Sequence, residues 1–257
     1  MKLAEVIPEE YNTIMQSRPA IIFPIGSMEW HDAHLPFGFD FQKVEKICEL
    51  LAERVGCFCA PPFAFGYPRH MARDPVKGIG TFCPEFQPLY EYVLAIGKLF
   101  VDKGFRVIYF LSGHYERSQI YMIKLIARHL VDYARDKGKE IIALAHQEPD
   151  YTIHEGISQN AREDSQQGTD STLYRNGDHA GFYETSLGLA TVPQYVKLDK
   201  IGKEYYDPVI GRPSVEYGKK WLEMILTKAS VEIINALNGK ESRSEEHTSE
   251  LQSPNTI

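Results

Sequence analysis

Five side chains able to bind a divalent metal ion fall within one short stretch of this 257-residue chain. They are Glu29, His31, Asp32, His34 and Asp40, in the segment Gly26-Ser-Met-Glu29-Trp-His31-Asp-Ala-His34-Leu-Pro-Phe-Gly-Phe-Asp40. Two further segments offer more: Ser112-Gly113-His114-Tyr115-Glu116, and Asp178-His179-Ala-Gly-Phe-Tyr-Glu184-Thr-Ser. Carboxylates and imidazoles supply the oxygen and nitrogen ligands that a borderline divalent ion takes, with room left for water. Together the segments hold enough ligands for two ions, and one carboxylate could bridge ions roughly 3.5–4 Å apart. Such a pair can hold hydroxide at neutral pH, because bound water is acidified from about 15.7 to about 7.

Spacing narrows the candidates. Glu29-x-His31 and His114-x-Glu116 have period two, which puts both members of each pair on one side of extended backbone. Asp32 reads as a turn residue. His34, just before Leu-Pro, reads as a ligand or as a residue supporting the ligands. His70, His129, His146 and His154 have no such company and read as surface or loop residues. Cys57-x-Cys59 would share one face of a strand, but no second Cys/His pair follows at zinc-site spacing. The four cysteines are therefore expected to be free thiols of a reducing cytoplasm.

These residues need elements to position them. Ala20–Ile25 reads as a buried strand, followed by an amphipathic helix over 41–55 with Val44, Ile47, Leu50, Leu51 and Val55 on one stripe. A second strand is expected at 57–61, then a long Pro- and Gly-rich loop over 62–84, a helix over 86–102 stopped by Gly104, and a strand over 106–111. A helix over 118–133 and a strand over 140–145 follow. Residues 147–177 are polar and irregular, and loops of that length in a compact domain are usually functional or disordered. Helices are expected at 181–190 and 215–237. This alternation implies an α/β fold: a three-layer α/β/α sandwich around a mainly parallel sheet. In such sheets ligands bind beyond the carboxyl ends of the strands, where Glu29 and His114 fall.

Composition sets the outer bounds. Hydrophobic residues make up 43% and charged residues 25%, as in ordinary globular chains. No apolar run is long enough for a membrane span. The first residues, MKLAEVIPEEYN, do not read as a secretory signal. A net charge of −7 argues against a nucleic-acid partner. Residues 243–257, RSEEHTSELQSPNTI, turn abruptly polar and look like the translation of a sequencing-library adapter, so the domain is expected to span 1–242. Removing the one arginine and three glutamates of that tail leaves the chain acidic.

The three segments carry a resemblance. PIGSMEWHDAHLPFGFD resembles the signature P-x-G-S-x-E-Q-H-G-x-H-L-P-x-x-x-D of the creatininase (creatinine amidohydrolase) family, and LSGHYERS and GDHAGFYETS are similar to its second and third motifs, in the same order. The resemblance implies an α/β/α fold with two divalent ions, zinc or manganese, and a hexamer acting on a small molecule. It places Glu29, Asp40 and His114 on one ion and His31, Asp40 and Glu116 on the other, with Asp40 as the bridge. It makes Asp178 the general base and His179 a contact to the substrate or transition state. Glu184 and His34 would support the ligands from behind, and Tyr115 and Arg117 would face the substrate. The implied reaction is hydrolysis of a C–N bond in a small amide or cyclic amide by a metal-bridging hydroxide. The alternatives are opening of a cyclic polyol ketone, deformylation of a pyrimidine precursor, and metal binding without catalysis. Departures point away from creatinine itself. Trp30 and Asp32 replace Gln and Gly of the first motif, and Trp30 and Trp221, the two tryptophans, stand where creatininases proper do not have theirs. Arg69, Lys77, Arg117 and Arg175 suggest a polar or anionic substrate.

Overall fold

A computed structural model describes residues 1–152, 179–206 and 211–239 of the chain. The expected tail at 243–257, together with Asp178, His154 and Arg175, lies outside the described residues.

Four strands form one parallel sheet in the order β2-β1-β3-β4: β1 Ala20–Ile25, β2 Phe58–Cys59, β3 Val107–Ser112 and β4 Ile142–Gln147. Ala20 pairs with Val107 and Ile25 with Ser112, so the central strands β1 and β3 end level with each other. Both are fully buried, which explains why they read as continuous apolar runs and not as alternating ones.

Period-two side chains divide between two cores. Ala20 and Ile22 of β1 and Val107, Tyr109 and Leu111 of β3 pack with Val44, Ile47 and Leu51 of α2 (Phe39–Val55) and with Trp221 and Ile225 of α7 (Val215–Leu237). Ile21, Phe23 and Ile25 of β1 and Ile108 and Phe110 of β3 pack on the opposite face. There they meet Leu89 and Val93 of α4 (Phe86–Asp102) and Ile123, Ile126 and Leu130 of α5 (Arg117–Asp136). The result is helix, sheet, helix: the expected three layers. α2 ends at Gly56, whose φ of 76° closes the helix in the left-handed conformation that glycine adopts without a Cβ penalty.

The remaining differences from the expected elements are local. The chain opens with α1 (Pro8–Ser17), which has Pro at its first position and buries only Ile14, too narrow an apolar stripe to announce itself. The long loop contains the single turn α3 (Arg69–Ala72), and residues Glu148–Tyr151 form a 3-10 turn directly after β4. α6 spans Phe182–Thr191. Among the described residues no helix is long and apolar enough to cross a membrane. The four cysteines are unpaired, and burial pushes the Cys57 and Cys59 thiols up to about 12.

Candidate metal centre

The site forms where β1 and β3 end, at the start of α2. The chain leaves β1 through Gly26 and turns back, with Glu29 N–H donating to Phe37 C=O at 2.8 Å. Asp32 sits at the corner with φ 56°, a left-handed conformation that Asp tolerates better than most residues. The segment then enters α2, which carries Asp40 in its first turn, where a helix N-terminus favours negative charge. The approach is close: a Cβ on Gly26 would lie 2.3 Å from Cα of Phe41, so only glycine fits there. Ser27 Oγ donates to Asp40 Oδ2 at 2.5 Å and ties the start of the segment to its end.

Three clusters of metal-ligating atoms result: Glu29, Asp40 and His114; His31, Asp40 and Glu184; and Glu29, His31 and His179. Asp40 belongs to the first two. In the first, His114 Nδ1 lies 2.8 Å from Glu29 Oε2 and 3.2 Å from Asp40 Oδ2. In the second, His31 Nε2 lies 3.1 Å from Asp40 Oδ1 and 3.9 Å from Glu184 Oε2. All five side chains are buried.

The donor atoms suit a cation. Glu29 Oε1, Asp40 Oδ1, His31 Nε2 and His114 Nε2 are buried and make no hydrogen bond among the described residues, whereas buried polar atoms are almost always paired. His31 Nδ1–H donates to the Glu29 carbonyl at 3.1 Å, which leaves Nε2 to face the acids, carrying a proton or, once that is lost, free to bind a cation. Burial opposes charge on this imidazole, but Asp40, Glu184 and Glu29 outweigh it and raise His31 to about 9. His114 is likewise raised against burial by Glu29 and Asp40, and these two imidazoles hold Asp40 well below the usual carboxylate range. The cluster thus draws positive charge to itself, as protons or as metal.

The third segment closes over the other two. His179 Nε2–H donates to the Trp30 carbonyl at 2.8 Å, and its ring stacks on Trp30 and lies 4.6 Å from that of His31. Burial, then repulsion from His31, holds His179 below its ordinary value, so it stays neutral. Ala180 has φ 55°. Its N–H donates to Glu184 Oε2 at 2.6 Å, and its carbonyl lies 3.0 Å from His34 Nε2. His34 also reaches Thr185 Oγ1 at 3.1 Å. The fully buried His34 therefore ties the first segment to the third, and burial keeps its value low.

Several expected site residues lie elsewhere. Glu116, expected beside His31 and Asp40, joins none of the clusters among the described residues; Glu184 stands there instead. Glu116 stands just before α5 at the rim of the site, accepting from Ser118 Oγ at 2.6 Å and from the His70 N–H at 3.0 Å, with Oε2 3.8 Å from His114 Nε2. Tyr115 turns inward, its hydroxyl donating to Glu148. Arg117 is exposed in the first turn of α5. His146 is not a surface residue: it sits on β4, 3.1 Å from Glu232 and 3.6 Å from Asp150. His70 and His129 are exposed.

One residue near the site was not anticipated. Lys43 is fully buried on α2, its ammonium 2.9 Å from Glu148 Oε2 and 3.4 Å from Glu184 Oε1. The signal was present in the spacing, since Lys43, Ile47, Leu51 and Val55 fall four residues apart on the buried stripe. Lysine on an amphipathic helix usually faces water, so the apolar stripe by itself reads from Val44.

The chain is similar to several known proteins. A profile of the creatininase family, described as creatinine amidohydrolase, matches residues 4–230. Creatinine amidohydrolase of Pseudomonas putida is 26% identical over 203 residues, covering 77% of this chain and 75% of that protein. The 3-dehydro-scyllo-inosose hydrolase of Thermotoga maritima is 34% identical over 95 residues, which span 37% of this chain and 29% of that protein. Among solved structures, a creatinine amidohydrolase (creatininase) superposes with a TM-score of 0.70 at 21% identity, covering 90% of this chain and 96% of that one. A Mn creatininase (0.69, 21%) and a Zn–Zn type creatininase mutant (0.70, 21%) show the same fold, each over 90% of this chain and 96% of its own.

Proposed function

The chain belongs to the creatininase family and is a metal-dependent hydrolase; from that premise we propose that it loads two divalent ions and hydrolyses a C–N bond in a small amide or cyclic amide. The observation that carries the reading is the pair of buried ligand clusters that share Asp40. Glu29, Asp40 and His114 would hold one ion, and His31, Asp40 and Glu184 the other. Zinc and manganese both suit these ligands, and related creatininase structures exist in Mn and Zn–Zn forms. When bound, such ions supply an acidified water and a Lewis acid for the carbonyl oxygen.

The chain's own residues do the rest. His179, neutral, stacked on Trp30 and with its one N–H given to the Trp30 carbonyl, offers its other ring nitrogen beside the His31 ligand as an acceptor for an N–H or O–H of the substrate. A carboxylate must take the proton of the attacking water and pass it to the leaving nitrogen. The family resemblance gives that role to Asp178. Glu116 is the second candidate, supported by its place at the rim, outside the ligand clusters and 3.8 Å from His114. Burial raises Glu116, but the nearby His114 and hydrogen bonds from Ser118 and the His70 N–H prevail and hold it below its ordinary value.

The tryptophans support a substrate other than creatinine. Trp221 is buried in the core against Phe182 and Tyr183, which leaves Trp30 beside the site. Lys77 Nζ lies 5.7 Å from the Trp30 ring centroid, a cation suited to a polar or anionic group. The stretch of higher identity to an inosose hydrolase supports a second reading, opening of a cyclic polyol ketone. Product analysis on cyclic ureas, lactams and inosose-type ketones tests both readings: C–N cleavage selects the first, ring opening of the ketone the second. Exposed Val76, Ile79 and Phe82 after α3 support a homo-oligomer, hexameric by family resemblance. Sedimentation would measure it.

A further inference from the structure

Lys43 is a full positive charge with no exposed surface, and taking an ammonium out of water is costly unless its surroundings compensate. Its partners come from three separate parts of the chain. Nζ donates to Tyr115 Oη at 2.7 Å and to the Gly113 carbonyl at 3.4 Å, and lies 2.9 Å from Glu148 Oε2 and 3.4 Å from Glu184 Oε1. The rings of Phe39 and Tyr115 flank it at 5.3 and 4.7 Å. A lysine that only glued the fold together would need Glu148 and little else.

The contact to Glu184 has another meaning. The two oxygens of that carboxylate have different partners. Oε2 accepts from the Ala180 N–H and points toward His31 Nε2, while Oε1 meets Lys43. A carboxylate held at both oxygens cannot rotate away from the cluster. Asp40 and Lys43 stand three residues apart on one face of α2, so a single helical turn presents an acid to the cluster and a cation behind it. Gly113 and Tyr115, the other two partners, flank His114 in the chain. One ammonium thus braces both halves of the centre.

We propose that Lys43 is a positioning residue for the metal pair: it holds Glu184 by Oε1 in the ligating orientation, and Glu148 and Tyr115 hold Lys43. The inference rests on the two-ion reading above and deepens it. Partners that orient metal ligands typically matter 10–100-fold in metal affinity. Glu148 is what lets a lysine, otherwise a liability in a dry site, serve there.

The test uses the full chain with Zn2+ as probe, competed against a chelator, with the melting temperature of the metal-free protein measured alongside. Replacing Lys43→Met together with Glu148→Gln removes the cation and neutralises the carboxylate nearest to it, leaving Glu184 as the one acid that loses this contact. The expected result is a folded protein that keeps one ion and binds the second 10–100-fold more weakly. Glu184→Gln weakens the same ion, and adding the double change to it causes no further loss, because both act through one carboxylate. Should the double variant fail to fold, Glu148→Gln alone, which loosens Lys43 in place, is expected to weaken the second ion several-fold. Two ions bound as tightly in the folded variants as in the parent would overturn the role of Lys43 and leave the family reading intact. A parent that binds no second ion would overturn both.

Discussion

The Gly113 Cα faces the backbone of Asp40: a Cβ at that position would stand 2.5 Å from the Asp40 carbonyl oxygen and 2.8 Å from Val44 Cβ. The end of β3 and the first turn of α2 therefore touch through the one residue type that allows it. Gly113→Ala is expected to push α2 outward and move Asp40 away from His114. Overpacking of this kind costs about 1–3 kcal/mol, so a lower melting temperature and a lower metal content should appear together. Parent-like values for both would show that the contact yields.

Asp40→Ala should remove both ions, because this residue belongs to both ligand clusters. Elemental mass spectrometry of parent and variant gives the answer directly. A variant retaining two ions, or full activity with none, contradicts the shared-ligand assignment.

The proton carrier can be separated from the ligands. Glu116→Gln should keep its ions, since Glu116 lies outside the clusters. If Glu116 carries the proton, kcat should fall by about 100-fold or more while metal content holds. Asp178→Asn provides the comparison, and the variant that loses turnover with its ions retained identifies the acid. Loss of metal in Glu116→Gln would return Glu116 to the ligand set.

Metal uptake should release protons. Without metal, His31 is raised to about 9, so at pH 7.5 an incoming ion displaces a proton from Nε2. Titration calorimetry in two buffers of different ionisation enthalpy measures the number released, and equal heats in both would contradict the displacement.

A separate pH effect comes from His146, raised to about 9 because Asp150 and Glu232 outweigh its burial. A folded value above the ordinary 6.5 gives a contribution that is complete below pH 6.5 and fades as the pH rises through 9. Asp150 and Glu232 are themselves held low, so their share is lost in acid as the pH falls through their folded values. Unfolding of parent and His146→Gln should differ on the order of 2 kcal/mol near pH 6 and converge above pH 9.5. A constant difference across that range would mean that packing, not charge, is what His146 provides.

The sheet and its helices were legible because β1 and β3 are buried on both faces and α2 carries a clean stripe. The ligand segments were legible from their density of acids and imidazoles at strand ends. The approach of Glu184 to His31 and Asp40 was not. Period-two spacing aligns side chains reliably only along a regular strand, and β3 ends at Ser112, two residues before His114. Glu184 lies in the first turn of α6, and only the bend at Ala180 brings it beneath His31. His146 and Lys43 are harder to read: each is compensated in part by an acid far away in sequence, Glu232 and Glu148.

That bend at Ala180 also bears on how the protein assembles. An L-residue in the left-handed region costs roughly 1–2 kcal/mol, and glycine there would remove the strain. Alanine, however, leaves the unfolded chain fewer conformations to surrender. The corner is thus set against a gradient: its N–H needs Glu184 and its carbonyl faces His34, about 150 residues earlier in the chain. Glu184 is close by in the chain, but His34 is not available until the sheet has brought the first and third segments together. The site should therefore be among the last parts of the molecule to form and the first to loosen, and ions arriving late would act as its latch.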